Sequence, residues 1–238
     1  QHEQIDLMRK VLQEALFGPA EISVEDDFDA GDDQTRSFDL KKEMDHFRSS
    51  FTLDDLVAFH AFEDGIVSLR SQGDTRGIDI KIDRSRHSFI VIDGNEAVSV
   101  PGCVDYRASF QIGERLVEPY IPPLFGITCL GPSHGFDPTE NTSGFIMWLN
   151  HEGVMIDPPV DSTEWMLRSN INPKLIDSII LTHCHADHDA GTFQKILEEG
   201  RVTVYTTKTI LMSFLRKYSA MCGMPVPRLL SLFRFQQI

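Results

Sequence analysis

The chain has 238 residues, 41% of them hydrophobic and 24% charged, enough apolar material for one medium domain with an extension or for two small domains. Its 22 Lys and Arg stand against 36 Asp and Glu, a formal charge of −14. Such a surface repels polyanions over a Debye length of about 8–10 Å and argues against broad binding of nucleic acid or of an anionic membrane. A small anionic substrate is still admissible, because bound metal ions would dominate the field around them.

Four scattered cysteines, Cys103, Cys129, Cys184 and Cys222, form no CxxC pair and are expected to be reduced thiols in a cytoplasmic protein. No apolar run reaches the about 18–20 residues that span a bilayer, so no membrane partner is expected. The start, Gln1-His2-Glu3-Gln4, has neither a Met nor a signal-peptide layout and reads as an internal cut.

Ile5, Met8, Leu12, Ala15 and Leu16 recur at helical spacing and predict a helix over 4–17, stopped by Gly18-Pro19. Residues 21–39 hold eight acidic side chains and one basic one, Arg36, a composition expected of a solvated linker. Residues 1–51 are therefore taken together as an N-terminal helix and an acidic linker. Short β-type segments follow at 56–59, 66–70 and 78–82. Two more, at 89–92 and 97–100, flank the hairpin signal Asp93-Gly94-Asn95. This β-rich region, 52–122, is either a separate small domain or an elaborated first sheet of the next domain. Tyr120-Ile121-Pro122-Pro123 is the expected seam.

From residue 123 the order is clearer. A strand at 125–130 leads into the turn-rich Gly131-Pro132-Ser133-His134-Gly135. A hairpin of 144–149 and 153–156 ends at Asp157-Pro158-Pro159. A short helix at 162–169, a buried strand at 176–182, a helix at 190–199, a strand at 202–206 and a helix at 209–218 follow. Alternating strands and helices of this kind imply a layered α/β domain.

The decisive stretch is Thr182-His183-Cys184-His185-Ala186-Asp187-His188-Asp189-Ala190-Gly191. Side chains two apart on extended backbone point the same way, so His183 and His185 can grip one ion while Cys184 turns to the other face. Asp187 and His188 follow where the strand becomes a helix, and can converge on a second ion. Imidazole combined with carboxylate suits zinc, iron or manganese. Burying three His and an Asp without a partner would be costly, so two divalent transition-metal ions are expected, with zinc favoured.

This stretch resembles the His-x-His-x-Asp-His signature of the metallo-β-lactamase superfamily, and the resemblance extends over roughly 124–238. It implies His183 and His185 on the first metal, and Asp187 and His188 on the second. Asp157, at the end of a hairpin strand, is similar to the superfamily's upstream Asp, which supports the metals through hydrogen bonds. The fold implied is an αββα sandwich. The superfamily's further ligands lie downstream, whereas this sequence has no His after His188 and no Asp after Asp189. Only the first half of the sandwich is therefore expected, and the isolated fragment is expected to be inactive. His134 either borders the substrate cleft, as the family's first loop does, or is simply a turn residue. Asn141-Thr142-Ser143-Gly144 resembles the phosphodiesterase and tRNA-processing branch.

The expected function is dinuclear metal-dependent hydrolysis, with Asp187 as a ligand that also accepts a proton. A phosphodiester is the favoured substrate, with a cyclic nucleotide as the leading small-molecule example. Two alternatives within the same fold stay open. One is a di-iron protein that binds or senses oxygen or does redox chemistry, and the other is a thioester hydrolase of the glyoxalase II type. Sequence leaves the oligomeric state undetermined.

Overall fold

The computed structural model describes residues 2–21, 42, 46, 51–70, 77–103, 117–137 and 139–238; from residue 22 on, the stretch expected to be an acidic linker lies outside them. The chain forms two compact units, one of Gln1–Asp6 with Phe51–Ala108 and the other of Leu7–Ser50 with Ser109–Ile238.

In the first unit, strands β1 (Ile66–Arg70), β2 (Gly77–Asp83), β3 (Ser88–Asp93) and β4 (Glu96–Pro101) make an antiparallel sheet in chain order. Asp93 pairs with Glu96 across the β3–β4 turn. Gly94 (φ 59°) supplies the left-handed backbone at the first central position of this two-residue loop. The strand expected at 56–59 is absent. Leu53–Leu56 instead forms one helical turn, labelled α2 after the N-terminal helix α1 (His2–Leu16). The cause is a capping arrangement, in which the Thr52 N–H and Oγ1 hydroxyl both donate to Asp55 Oδ2 at 2.7 Å. A four-residue apolar run is too short for periodicity to separate strand from helix.

The second unit is built on a six-stranded mixed sheet. Its strands are β5 (Phe125–Gly131), β6 (Gly144–Leu149), β7 (Glu152–Ile156), β8 (Ser178–Ile180), β9 (Thr203–Thr206) and β10 (Arg234–Gln237), ordered β10-β9-β8-β7-β6-β5. The first three are antiparallel, β6 and β7 joined by the two-residue turn Asn150-His151 and β5 and β6 by the longer loop 132–143, while β7 to β10 run parallel. Parallel neighbours need crossovers. These carry α3 (Ser162–Arg168) with a short 3-10 turn at Pro173–Leu175, then α4 (Ala186–Glu199), then α5 (Lys208–Cys222) with α6 (Val226–Leu230).

One face of the sheet presents Ile146, Trp148, Met155, Ile179 and Val204 to a core shared with Ile196, Leu211, Phe214, Leu215 and Tyr218 of α4 and α5. Both long helices stop at a left-handed glycine, Gly200 (φ 64°) and Gly223 (φ 68°), where any other residue would be strained. Among the described residues, no helix is long and apolar enough to cross a membrane.

Two boundaries differ from expectation in ways that matter for the site. The strand before the His cluster is only Ser178–Ile180, so residues 181–185 run on outside any strand, although the Leu181 N–H still donates to the Tyr205 carbonyl at 3.0 Å. Helix α4 starts at Ala186, four residues earlier than the periodicity suggests, with His185 as its N-cap. Asp187 and His188 thus occupy its first turn. In α1, Met8 and Leu16 are exposed, and the buried residue is Glu14.

Candidate metal centre

Asp157 directly follows β7 and Thr182-His183 follow β8, so these residues meet at the carboxyl ends of two adjacent parallel strands, the edge where open α/β sheets place their ligands. Asp157 is buried and holds a left-handed backbone (φ 44°); such strain persists only where the surroundings enforce it. Its N–H still donates to the Ile180 carbonyl at 3.1 Å, which prolongs the β7–β8 ladder. Gly144 is the neighbour that permits this bend, because a Cβ there would lie 2.5 Å from the Asp157 carbonyl oxygen.

The Asp157 carboxylate is an acceptor hub. Oδ1 takes the Thr182 N–H at 2.8 Å, and Oδ2 takes the Thr182 hydroxyl in a short bond and His188 Nδ1 at 3.1 Å. Since a carboxylate only accepts, His188 Nδ1 is the donor, and in the neutral tautomer this leaves Nε2 as the ligand atom. Likewise, Thr182 Oγ1 spends its proton on Asp157 and so accepts from His183 Nδ1 at 2.9 Å. His183 Nε2 is then free as well. Burial, reinforced by the neighbouring His188 and His185, keeps His183 below the usual imidazole range, so it is neutral and available as a ligand at neutral pH.

Ligand-capable atoms of Asp157, His183 and His188 all lie within 4.8 Å of one another. His185 and Asp187 are outside that trio but border it. The His183 and His185 ring centres are 4.7 Å apart and those of His183 and His188 4.2 Å; Asp187 Oδ2 stands 3.6 Å from His188 Nε2. The donor set, imidazole nitrogen with carboxylate oxygen, fits zinc, iron or manganese. Three imidazoles packed this closely gain little from one another, whereas a metal cation beside them would engage their ring nitrogens.

The other singled-out residues fall as follows. His134 is exposed and its Nδ1 accepts the Phe136 N–H at 3.2 Å, a local turn contact. Its neighbour Gly135 abuts the site, because a Cβ added there would lie 2.7 Å from Asp187 Cβ. This loop is fastened to the Asn-Thr-Ser segment by the Ser143 hydroxyl, which donates to the Ser133 carbonyl at 2.7 Å. Cys184 turns inward, as alternation requires, and burial pushes its thiol up to about 12.

Residues 138–233 match the model of the metallo-β-lactamase superfamily, and they contain both the His cluster and Asp157. In this segment the chain is similar to the metallo-β-lactamase superfamily. Two Dictyostelium discoideum proteins are similar to it. The cGMP-dependent 3′,5′-cGMP phosphodiesterase A is 38% identical over 214 residues, 84% of this chain and 24% of that protein. The cAMP/cGMP-dependent 3′,5′-cAMP/cGMP phosphodiesterase B is 50% identical over 111 residues, 46% of this chain and 10% of that protein. The chain thus spans a quarter or less of the length of these relatives. Among solved structures, the short form of human tRNase Z aligns over 47% of this chain and 42% of its own, with 19% identity and a TM-score of 0.35.

The superfamily signature is silent on Thr182, Lys217 and Tyr218, which sequence reasoning passed over. Thr182 stands beside the motif and hints at nothing by type. Lys217 follows Phe214-Leu215-Arg216 in α5, an ordinary helical context, and its almost complete burial emerges only in the fold.

Proposed function

We propose that this chain supplies the metal-holding part of a phosphodiesterase domain that opens the phosphodiester ring of a 3′,5′-cyclic nucleotide. The observation that carries the proposal is the meeting of Asp157, His183 and His188 within 4.8 Å at the carboxyl ends of β7 and β8. The D. discoideum phosphodiesterases support the substrate class, since the similarity to one of them covers 84% of this chain. In the finer fold proposed, 123–238 is the first half of an αββα sandwich, preceded by the β-rich region 52–122 and by the helix and linker of 1–51.

His183 and His185 would hold one metal ion, and Asp187 and His188 the second, with zinc favoured over iron or manganese. When bound, such ions polarise the phosphoryl oxygens and make water acidic enough to act as a nucleophile at neutral pH. The residues of the chain do the rest. Asp157 and Thr182 fix the imidazole tautomers, so that the two Nε2 lone pairs face the centre. Asp187, in the first turn of α4, takes the proton of the attacking water. One P–O bond forms from that water and one ester P–O bond of the ring breaks, with a proton going to the departing sugar oxygen. The product is a nucleoside monophosphate and one water is consumed. His134 and Gly135 form the wall beside Asp187 that the phosphate would meet.

The test uses the full-length protein with 3′,5′-cGMP and 3′,5′-cAMP. Hydrolysis of one or both should vanish with a chelator, return with zinc or manganese, and be lost in a His183→Ala/His188→Ala variant. Absence of any monophosphate release from metal-replete protein would overturn the proposal.

A further inference from the structure

We propose that Lys217 is a positioning residue that sets the shape of the ligand loop from the interior side, and with it the metal affinity of the centre. The inference rests on the metal-holding role proposed above.

Lys217 is 1% exposed, on α5. Its Nζ donates to the Cys184 backbone carbonyl at 2.8 Å and to Asp189 Oδ2 at 2.5 Å. Asp189 is fully buried, and its other oxygen accepts the Tyr218 hydroxyl at 2.7 Å. The two attachment points are significant. Cys184 lies between His183 and His185, and Asp189 follows His188. One ammonium therefore holds the backbone carbonyl inside the first ligand pair and the side chain directly after the second, at the turn where the loop becomes α4.

A point charge with three donors suits this task, because it can satisfy two acceptors that are not coplanar. The ring of Tyr218, 5.2 Å from Nζ, adds a favourable face. A hydrophobic residue could fill the same volume, and a buried ion pair gives the fold little net stability compared with well-packed apolar side chains. What an apolar residue cannot do is hold the Cys184 carbonyl. Partners of this kind behind metal ligands are typically worth about 10–100-fold in metal affinity.

Lys217→Met alone would strand the buried Asp189 charge, so the informative variant is Lys217→Met with Asp189→Asn. It removes both charges together and leaves Tyr218 an acceptor. Three measurements on the 238-residue chain decide the matter: a thermal melt, amide hydrogen exchange without metal, and zinc affinity by competition with a chromophoric chelator. The double variant should melt cooperatively close to the parent. Its His188 and Asp189 amides, both bonded to the His185 carbonyl, should exchange at least about tenfold faster while those of β9 stay unchanged. Zinc should bind about 10–100-fold more weakly. Unchanged exchange in the loop overturns the positioning role whatever the zinc result. Faster exchange in a chain whose parent form binds no zinc would support the clamp on the loop and overturn the metal proposal.

Discussion

Asp187 is confined by a residue that contributes no functional group. Gly135 leaves space that Asp187 fills, and a methyl there would sit 2.7 Å from the Asp187 Cβ and 2.9 Å from its Cγ, so the carboxylate would have to move. Gly135→Ala should therefore weaken zinc binding by about tenfold or more, with a thermal melt showing that the chain still folds. Equal zinc affinity in a competition assay would show that Asp187 does not need its observed position. Cysteine chemistry gives a second check at this scale. Cys103, Cys129 and Cys222 are exposed while Cys184 is buried, with its thiol pushed up to about 12. Since the thiolate is the reactive form, a thiol-titrating disulfide reagent at pH 8 should label three cysteines promptly and the fourth only on unfolding. Prompt labelling of all four would contradict the inward turn of Cys184.

Among the elements, the sequence disclosed what has a period or a turn signal. Alternation and bounding glycines placed β1 to β7 and the β3–β4 hairpin to within a residue or two, and His-x-His-x-Asp-His marked the centre. Other features depend on partners distant in the chain and left no local trace. Glu14 is the clearest case. Apolar spacing in α1 points to Met8 and Leu16 as buried, yet both are half exposed. Glu14 is 2% exposed, accepting from the Ser213 hydroxyl at 2.7 Å and from Arg216 Nε at 2.5 Å. Those donors are about 200 residues away, beyond any window of periodicity. Glu14→Ala would leave the Ser213 hydroxyl buried without an acceptor, at a cost of about 1–3 kcal/mol. For a chain of this size, a loss of about 2 kcal/mol lowers the melting temperature by about 4–8 °C. A melt unchanged to within about a degree would mean that α1 adds nothing to the stability of the second unit.

Across the whole molecule, two units of different construction share one chain, an antiparallel sheet in chain order and a mixed sheet wound with helices. The β-rich composition of the first and the α/β alternation of the second are both legible in the order of residue types alone. The segments making up each unit are not, because the first unit draws on Gln1–Asp6 as well as Phe51–Ala108. Helix α6 and strand β10 leave no such signal either. Val226–Leu230 is too short to show a period, and Arg234-Phe235-Gln236-Gln237 has a single apolar side chain. Strand β10 exists because β9 offers it a parallel edge, a context that local propensity does not encode.

The parallel pairing of β7 with β8 also bears on when the centre can come into being. Asp157 and Thr182 stand 25 positions apart in the chain, and Lys217 and Cys184 stand 33 apart. Both loops must close before either contact yields anything, and contacts of this non-local kind form slowly. The orienting bonds of the ligands are thus products of late assembly rather than a nucleus for it. Zinc added at the start of refolding should accordingly leave the main refolding rate unchanged and slow only unfolding, as expected for interactions absent from the transition state. A refolding rate that climbs with zinc concentration in stopped-flow fluorescence would place the His cluster among the first parts of this chain to organise.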